Sequence, residues 1–290
     1  MIQSNSDKLH RYLFEKRHVR GELVQLHSTY ARMLEGHDYP PVISEMLGQA
    51  LAATCLLTAT LKFEGEITVQ IQGNGPLSLL VINGRNDQTM RGIARVQSHV
   101  CADSSFQEII GQGQMVITIS PDEGERYQGI VPLEADTFTG CIEDYFARSE
   151  QLPTKLMLFA DVESQQCGGL LVQALPGDQA EKEQDFEHLS VLSATLKADE
   201  IFDLEAEQLL FRLFHEEEVT LYEPQTVAFT CSCSRERSTS ALSAMGEREL
   251  SKLFAEQEKI DIHCQYCNSH YVFSQEDLPA LFGKTNLNIH

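Results

Sequence analysis

The sequence predicts an α+β protein: a domain of mostly antiparallel sheet with covering helices, then an acidic helical linker, then a small C-terminal tetrathiolate module. Three observations predict it. Short runs of alternating apolar and polar residues, such as EITVQIQ and GQMVITIS, are punctuated by Gly, Asn and Pro turn signals. After Gly177 the composition turns acidic and amphipathic. Four of the eight cysteines fall in one C-terminal stretch, as a C-x-C pair, Cys231 and Cys233, and a C-x-x-C pair, Cys264 and Cys267. The corresponding boundaries are 1–177 for the α+β domain, 178–230 for the linker and 231–290 for the cysteine module.

From Leu9 to Val19 polar and apolar residues mix without periodicity, and Val19, Leu23 and Leu26 suggest a strand before Thr29 and Tyr30. Tyr39-Pro40-Pro41 opens a helix, because proline is tolerated in a first turn. Met46, Leu47, Ala50, Leu51, Thr54, Leu57 and Leu61 then recur at helical spacing, so this helix is buried and ends before Gly65. EITVQIQ, a Gly73 to Pro76 turn, LSLLVIN, a turn at Asn83-Gly84 and a strand from Met90 to Val96 make an antiparallel meander. An irregular region to Gln112 follows. Gly113 to Ser120 and YQGIVPL form a second hairpin, Thr137 to Arg148 a helix, and KLMLFADV and GGLLVQALP two more strands, with Pro176-Gly177 ending the domain. This part contains no Gly-rich phosphate loop, no G-x-S-x-G elbow and no H-E-x-x-H. Its cysteines, Cys55, Cys101, Cys141 and Cys167, are widely spaced and read as small buried apolar residues.

Between Asp178 and Glu218 there are 13 acidic residues and three basic ones, yet the stretch is rich in Leu and Phe. Two amphipathic helices fit, about Asp185 to Lys197 and about Leu204 to His215. Each carries an apolar stripe that something must cover: Phe186, Leu189, Leu192 and Leu196 on the first, Leu209, Leu210, Leu213 and Phe214 on the second. The residue-level alternative is an ordinary helical subdomain with a solvated charged face.

Composition narrows the function. A formal charge of −21, from 22 basic and 43 acidic residues, repels phosphate backbones and anionic membranes, so neither nucleic acid nor membrane is an expected partner. The N-terminal stretch has charges throughout and lacks the apolar core of a signal peptide. The longest apolar run, Ala50 to Leu61, is about 12 residues against the roughly 20 of a membrane span. A cytoplasmic location follows as the expectation, and there closely paired cysteines more often hold metal than form disulfides.

Two close cysteine pairs can bring four thiolates to one point, the tetrahedral arrangement of structural Zn²⁺ sites. The 30 residues between the pairs exceed the usual zinc-ribbon loop, while DIHCQYCNSHYVF reads as a knuckle on a hairpin. Static disulfides and a thioredoxin-like dithiol at Cys264 and Cys267 are the competing readings, and His263 and His270 are possible nitrogen ligands or neighbours of the site. Few large apolar residues surround the pairs, so metal is expected to hold this module together.

These cysteines, with HDYPPVISEMLGQALAATCLLTATLKFEGEITVQIQGNGPLSLLV, YQGIVPLE, YFARSEQLPT and GGLLVQALP, resemble the bacterial redox-regulated chaperone family heat shock protein 33, also called the 33 kDa chaperonin family, over nearly the whole chain. The resemblance implies an ATP-independent holdase rather than an enzyme, inactive when reduced and zinc-bound. Oxidation would convert the thiolates to two disulfides, Cys231 with Cys233 and Cys264 with Cys267, and expel the metal. It further implies unfolding client proteins as partners, a homodimer in the oxidised form, and a linker that covers the N-terminal domain until activation unfolds it. The two apolar stripes then become latch or client-binding residues. The alternative function is a zinc-stabilised protein-interaction module without redox switching.

Overall fold

The structure, a computed structural model, describes residues 7–176 and 179–282. It divides into two compact units, Met1–Thr230 and Cys231–His290. The fold is mixed α+β with antiparallel sheets, and the described part of the acidic segment lies in the first unit. The expected boundary at Gly177 lies outside the described residues.

The first unit opens with a hairpin of β1 (Lys8–Phe14) and β2 (Val19–Leu26), then α1 (Ser28–Leu34) and α2 (Pro41–Ala59). A meander of β3 (Gly65–Gly73), β4 (Leu77–Arg85) and β5 (Thr89–Val96) follows. Next come α3 (Phe106–Ile110), the hairpin β6 (Gly113–Pro121) and β7 (Tyr127–Pro132), α4 (Phe138–Tyr145) continued by a π-helical turn, and the hairpin β8 (Thr154–Asp161) and β9 (Gln166–Ala174). The acidic segment forms α5 (Gln179–Ser193), α6 (Ala198–Asp203) and α7 (Ala206–Phe214). Three short strands, β10 (Val219–Leu221), β11 (Gln225–Thr226) and β12 (Ala228–Phe229), return the chain to the sheets.

Those sheets have the orders β10-β1-β2-β9-β8, with β11 also on β1, and β12-β5-β4-β3-β6-β7. Pairing is antiparallel throughout except where β12 runs parallel to β5. Helix α2 packs against both sheets, and from Ile43 to Ala59 only Glu45 and Gln49 escape full burial. At 19 residues it is long and apolar enough to cross a membrane, longer than the run its sequence suggested. Its burial between protein layers explains its all-round apolarity instead.

Several local expectations are corrected. Asn83-Gly84 is not a turn: both residues are paired within β4, and the chain reverses at Arg85 to Gln88, where the Gln88 N–H donates to the Arg85 carbonyl at 2.9 Å. Gly84 is there for close approach, because a Cβ would lie 2.6 Å from Met90 Sδ and 3.0 Å from the Thr54 and Thr58 methyls of α2. The stretch to Gln112 contains α3, which a Ser105/Glu108 capping box starts. Leu9 to Val19 lacked periodicity because β1 buries the polar His10 with Tyr12 and Phe14 on one face, while the other face carries Leu9 in a separate core, exposed Arg11 and half-buried Leu13. Cys55, Cys141 and Cys167 are buried as expected, but Cys101 is exposed in a loop.

The second unit holds α8 (Arg235–Ser243), α9 (Glu247–Glu256), the hairpin β13 (Lys259–His263) and β14 (His270–Ser274), and α10 (Leu278–Phe282). Its core is small: Leu242, Leu250, Phe254, Ile260 and Phe273 are its buried hydrophobic members among the described residues.

Candidate metal centre and linker contact

Cys231 and Cys233 lie on the extended segment between β12 and α8, whose N-terminus Ser234 caps by accepting from the Arg237 N–H. Cys264 directly follows β13 and Cys267 lies in the turn to β14, which is closed by Asn268 N–H donating to the Cys264 carbonyl and Cys264 N–H to the Ser269 carbonyl, both at 2.9 Å. Asn268 takes the left-handed conformation that the tight turn needs (φ 54°). This is the knuckle on a hairpin that the sequence suggested.

The four sulfurs converge, all within 4.8 Å of one another. Cys231 Sγ lies 3.5 Å from Cys264 Sγ, and Cys233 Sγ lies 3.3 Å from Cys267 Sγ. A tetrahedral Zn²⁺ with Zn–S bonds of about 2.3 Å holds its sulfurs about 3.8 Å apart, so this spacing fits a tetrathiolate ion. Charge also fits. Burial drives the Cys231 and Cys264 thiols up, so without a cation they stay protonated. Cys267 goes the other way, down to about 6: burial opposes its ionisation, but hydrogen bonds from the Ser269 hydroxyl and N–H and the neighbouring thiols outweigh it. Tyr271 O–H donates to Cys233 Sγ at 3.2 Å, a contact the sequence did not disclose. His263 and His270 stack on each other with centroids 4.4 Å apart, and His270 pairs with Asp261; neither belongs to the sulfur cluster.

The linker residues lie together elsewhere, on the first unit. Leu189, Leu196, Leu209, Leu210, Leu213 and Phe214 are buried, and Phe186 and Leu192 partly so. They cover the face of the first sheet formed by Tyr12, Phe14, Val19, Leu23, Leu170 and Val172. Phe14 and Phe214 meet edge to face at 4.9 Å. Gly21 makes room for the Tyr12 ring, which lies 2.1 Å from where a Cβ would stand.

Polar anchors that sequence reasoning missed hold the same contact. Arg17, in the β1–β2 turn, donates Nε and Nη2 to the Glu217 carboxylate at 3.0 Å each and Nη1 to Asp185 Oδ1 at 2.9 Å. The His18 N–H adds a bond to Asp185, and His188 pairs with Glu217. Burial alone would raise Asp185, yet Arg17 and His18 hold its carboxyl below the usual range; the Arg17 fork and His188 do the same for Glu217. Gln25 Nε2 donates to the carbonyls of Ile201 and Leu204 at 2.7 and 2.8 Å. One arginine in a run of charged turn residues gave no sequence signal of this role.

Comparison with known proteins agrees with this geometry. A family profile described as "Hsp33 protein" matches residues 7–274. A 33 kDa chaperonin of Shewanella woodyi is 53% identical over 281 residues, covering 97% of both chains. Those of Cronobacter sakazakii (53% identity, 95% of this chain and 94% of that one) and Yersinia pestis (51%, 96% of each) are similar. The crystal structure of a 33 kDa chaperonin (heat shock protein 33 homolog) from Thermotoga maritima superposes with a TM-score of 0.82, over 95% of this chain and 97% of that one. At 24% identity that likeness is one of fold.

The sulfur geometry makes a direct prediction. Cys→Ser at Cys231, Cys233, Cys264 or Cys267 should sharply weaken metal binding, read by elemental analysis after desalting. Joint replacement of Cys55, Cys101, Cys141 and Cys167 should leave it intact. Tight, near-stoichiometric metal in all four single variants would contradict the site.

Proposed function

The chain belongs to the Hsp33 family, and we propose from this that it is a redox-gated, ATP-independent holdase whose switch is a zinc ion held by Cys231, Cys233, Cys264 and Cys267. The observation that carries the reading is the convergence of four sulfurs in a unit with a thin core. When bound, the ion supplies the crosslink that such a core lacks, contributing about 10–16 kcal/mol of apparent folding free energy in small zinc domains at neutral pH.

The thiols themselves perform the switching step. A thiolate attacks peroxide, gains an oxygen as sulfenic acid and releases hydroxide. The second thiolate of its pair then attacks that sulfur, forming the S–S bond and expelling hydroxide. Each disulfide consumes one peroxide, and the pairing proposed is the one the family resemblance implies, Cys231 with Cys233 and Cys264 with Cys267. Sulfurs so bonded no longer ligate, and the unit beginning at Cys231 loses its main stabiliser.

The linker is the second element. Thr230, whose N–H donates to the Met90 carbonyl at 2.9 Å, directly precedes Cys231, so unfolding of the cysteine unit starts at the covalent end of the strands that follow α7. On this reading α5 to α7 then leave the sheet, and both apolar faces become available to unfolding proteins. The surrounding carboxylates keep the complex dispersed. Binding through exposed apolar surface needs no nucleotide.

The deciding experiment measures suppression of aggregation of a denatured client by reduced, zinc-loaded protein and by peroxide-treated protein, with zinc release followed by a chromogenic chelator. Activity should appear with release, and disulfide mapping should find the two within-pair bonds. Equal suppression by the reduced, loaded protein would favour a zinc-stabilised interaction module without redox switching. A second prediction concerns the latch. Leu209→Ser with Leu213→Ser forfeits roughly 1.5–3 kcal/mol per buried side chain. The double variant should be partly active without oxidant, protease-sensitive in the linker, and still zinc-loaded. A variant as protease-resistant as the parent that activates normally would contradict the latch.

A further inference from the structure

The sheet face under the linker holds a buried titratable side chain that the contacts described above do not use. His10 on β1 is 6% exposed, and neither Nδ1 nor Nε2 has a hydrogen-bond partner. Strand alternation places it on the face of Tyr12 and Phe14, beneath the linker helices. It is paired with Leu23, and the next position on that face pairs Lys8 with Gln25. Gln25 is also buried; its Nε2 is committed to α6 and the residue after it, but its Oε1 has no partner. Two neighbouring buried side chains therefore carry three unpartnered polar atoms at the contact between sheet and linker.

We propose that His10 makes linker docking acid-sensitive: its protonation at this contact releases α6 and α7 from the sheet while the metal-bound cysteine unit stays intact. The proposal rests on the reading of the linker as a latch. The His10 ring makes no hydrogen bond in the docked state, and a buried charge that is not paired is strongly disfavoured. Burial is the main cause that lowers the His10 pKa, Lys8 on the same strand adds to it, and Glu207 on α7 opposes it. Among the described residues, β2 presents Val19, Gly21, Leu23 and Gln25 on this face, the link between β10 and β11 beside His10 carries the exposed Glu223, and Asp203 and Glu205 near α6 are exposed.

The sign follows from the lowered value. Docking is fully favoured above the free histidine pKa of about 6.5 and weakens as pH falls below it, by up to about tenfold in the open-to-docked ratio per pH unit. The Arg17 anchors respond elsewhere: Asp185 and Glu217, with lowered pKa values, hold until pH falls below the usual carboxylate range of about 4. Glu22, pushed up to about 7 by burial, lies on the opposite face with Val24 and Leu26, and its protonation favours the folded sheet.

The test uses reduced, zinc-loaded full-length protein and a glutamate-specific endoprotease. Cleavage within 179–218 is divided at each pH by cleavage of the free peptide of that sequence, and metal content is measured after desalting. Between pH 7.5 and 5.5 the normalised rate should rise up to about tenfold for the parent with metal retained, and stay flat for His10→Leu. Glu207→Gln, which keeps His10 but removes its opposing carboxylate, should open more than the parent at pH 5.5. A flat parent, an equal rise in His10→Leu, or a rise that tracks metal loss overturns the proposal. Opening without holdase activity leaves it standing and contradicts instead the linker's role as gate.

Discussion

The first sheet is apolar on both faces, and the rest of the structure depends on how the second face is covered. One face packs on α2, through Leu9, Val24, Leu26 and Leu171 among others. The other presents Tyr12, Phe14, Val19, Leu23, Leu170 and Val172, which must be kept from water. A large part of that cover comes from α5 to α7, a segment whose exposed side is densely acidic. Its attachment is apolar contact plus a few specific anchors, Arg17 and Gln25 foremost. Such a cover is removable in a way that α2, enclosed by both sheets, is not.

The cysteine unit has the opposite economy of forces. Its few buried hydrophobic residues cannot match a core that joins two six-stranded sheets and α2. Its four sulfurs are set at a spacing that suits a tetrahedral cation. On the proposed reading, stability there follows the chemical state of the sulfurs. A unit with four converging sulfurs follows, after three short strands, a segment held by apolar contact and a few polar anchors, and that order along the chain is what the proposed function uses.

Much of this was legible in the sequence because it is written in local pattern. Pair spacing gave the sulfur site, Tyr39-Pro40-Pro41 and the helical recurrence after it gave α2, and the alternation in EITVQIQ and GQMVITIS gave β3 and β6. What failed depended on tertiary partners. Gly84 looked like a turn residue, but the nearness of Thr54 and Thr58 is absent from local sequence. The strands β10 to β12 are two or three residues long and exist only because β1 and β5 offer free edges. The two stripes were visible in the linker, whereas the face they meet was hidden in β1, where a buried histidine, His10, interrupts the apolar alternation. Arg17, Gln25 and His10 acquire meaning only through partners up to 200 residues away or, for His10, through the lack of one.

The central claim is that the state of the sulfurs controls the cover of the sheet. Amide hydrogen exchange, compared between reduced zinc-loaded and peroxide-oxidised protein, tests it most directly. The account predicts that α5, α6 and α7 lose protection together with α8, β13 and β14 on oxidation, while α2, β3 and β6 keep theirs. Loss confined to the unit beginning at Cys231, with α5 to α7 as protected as before, would contradict it.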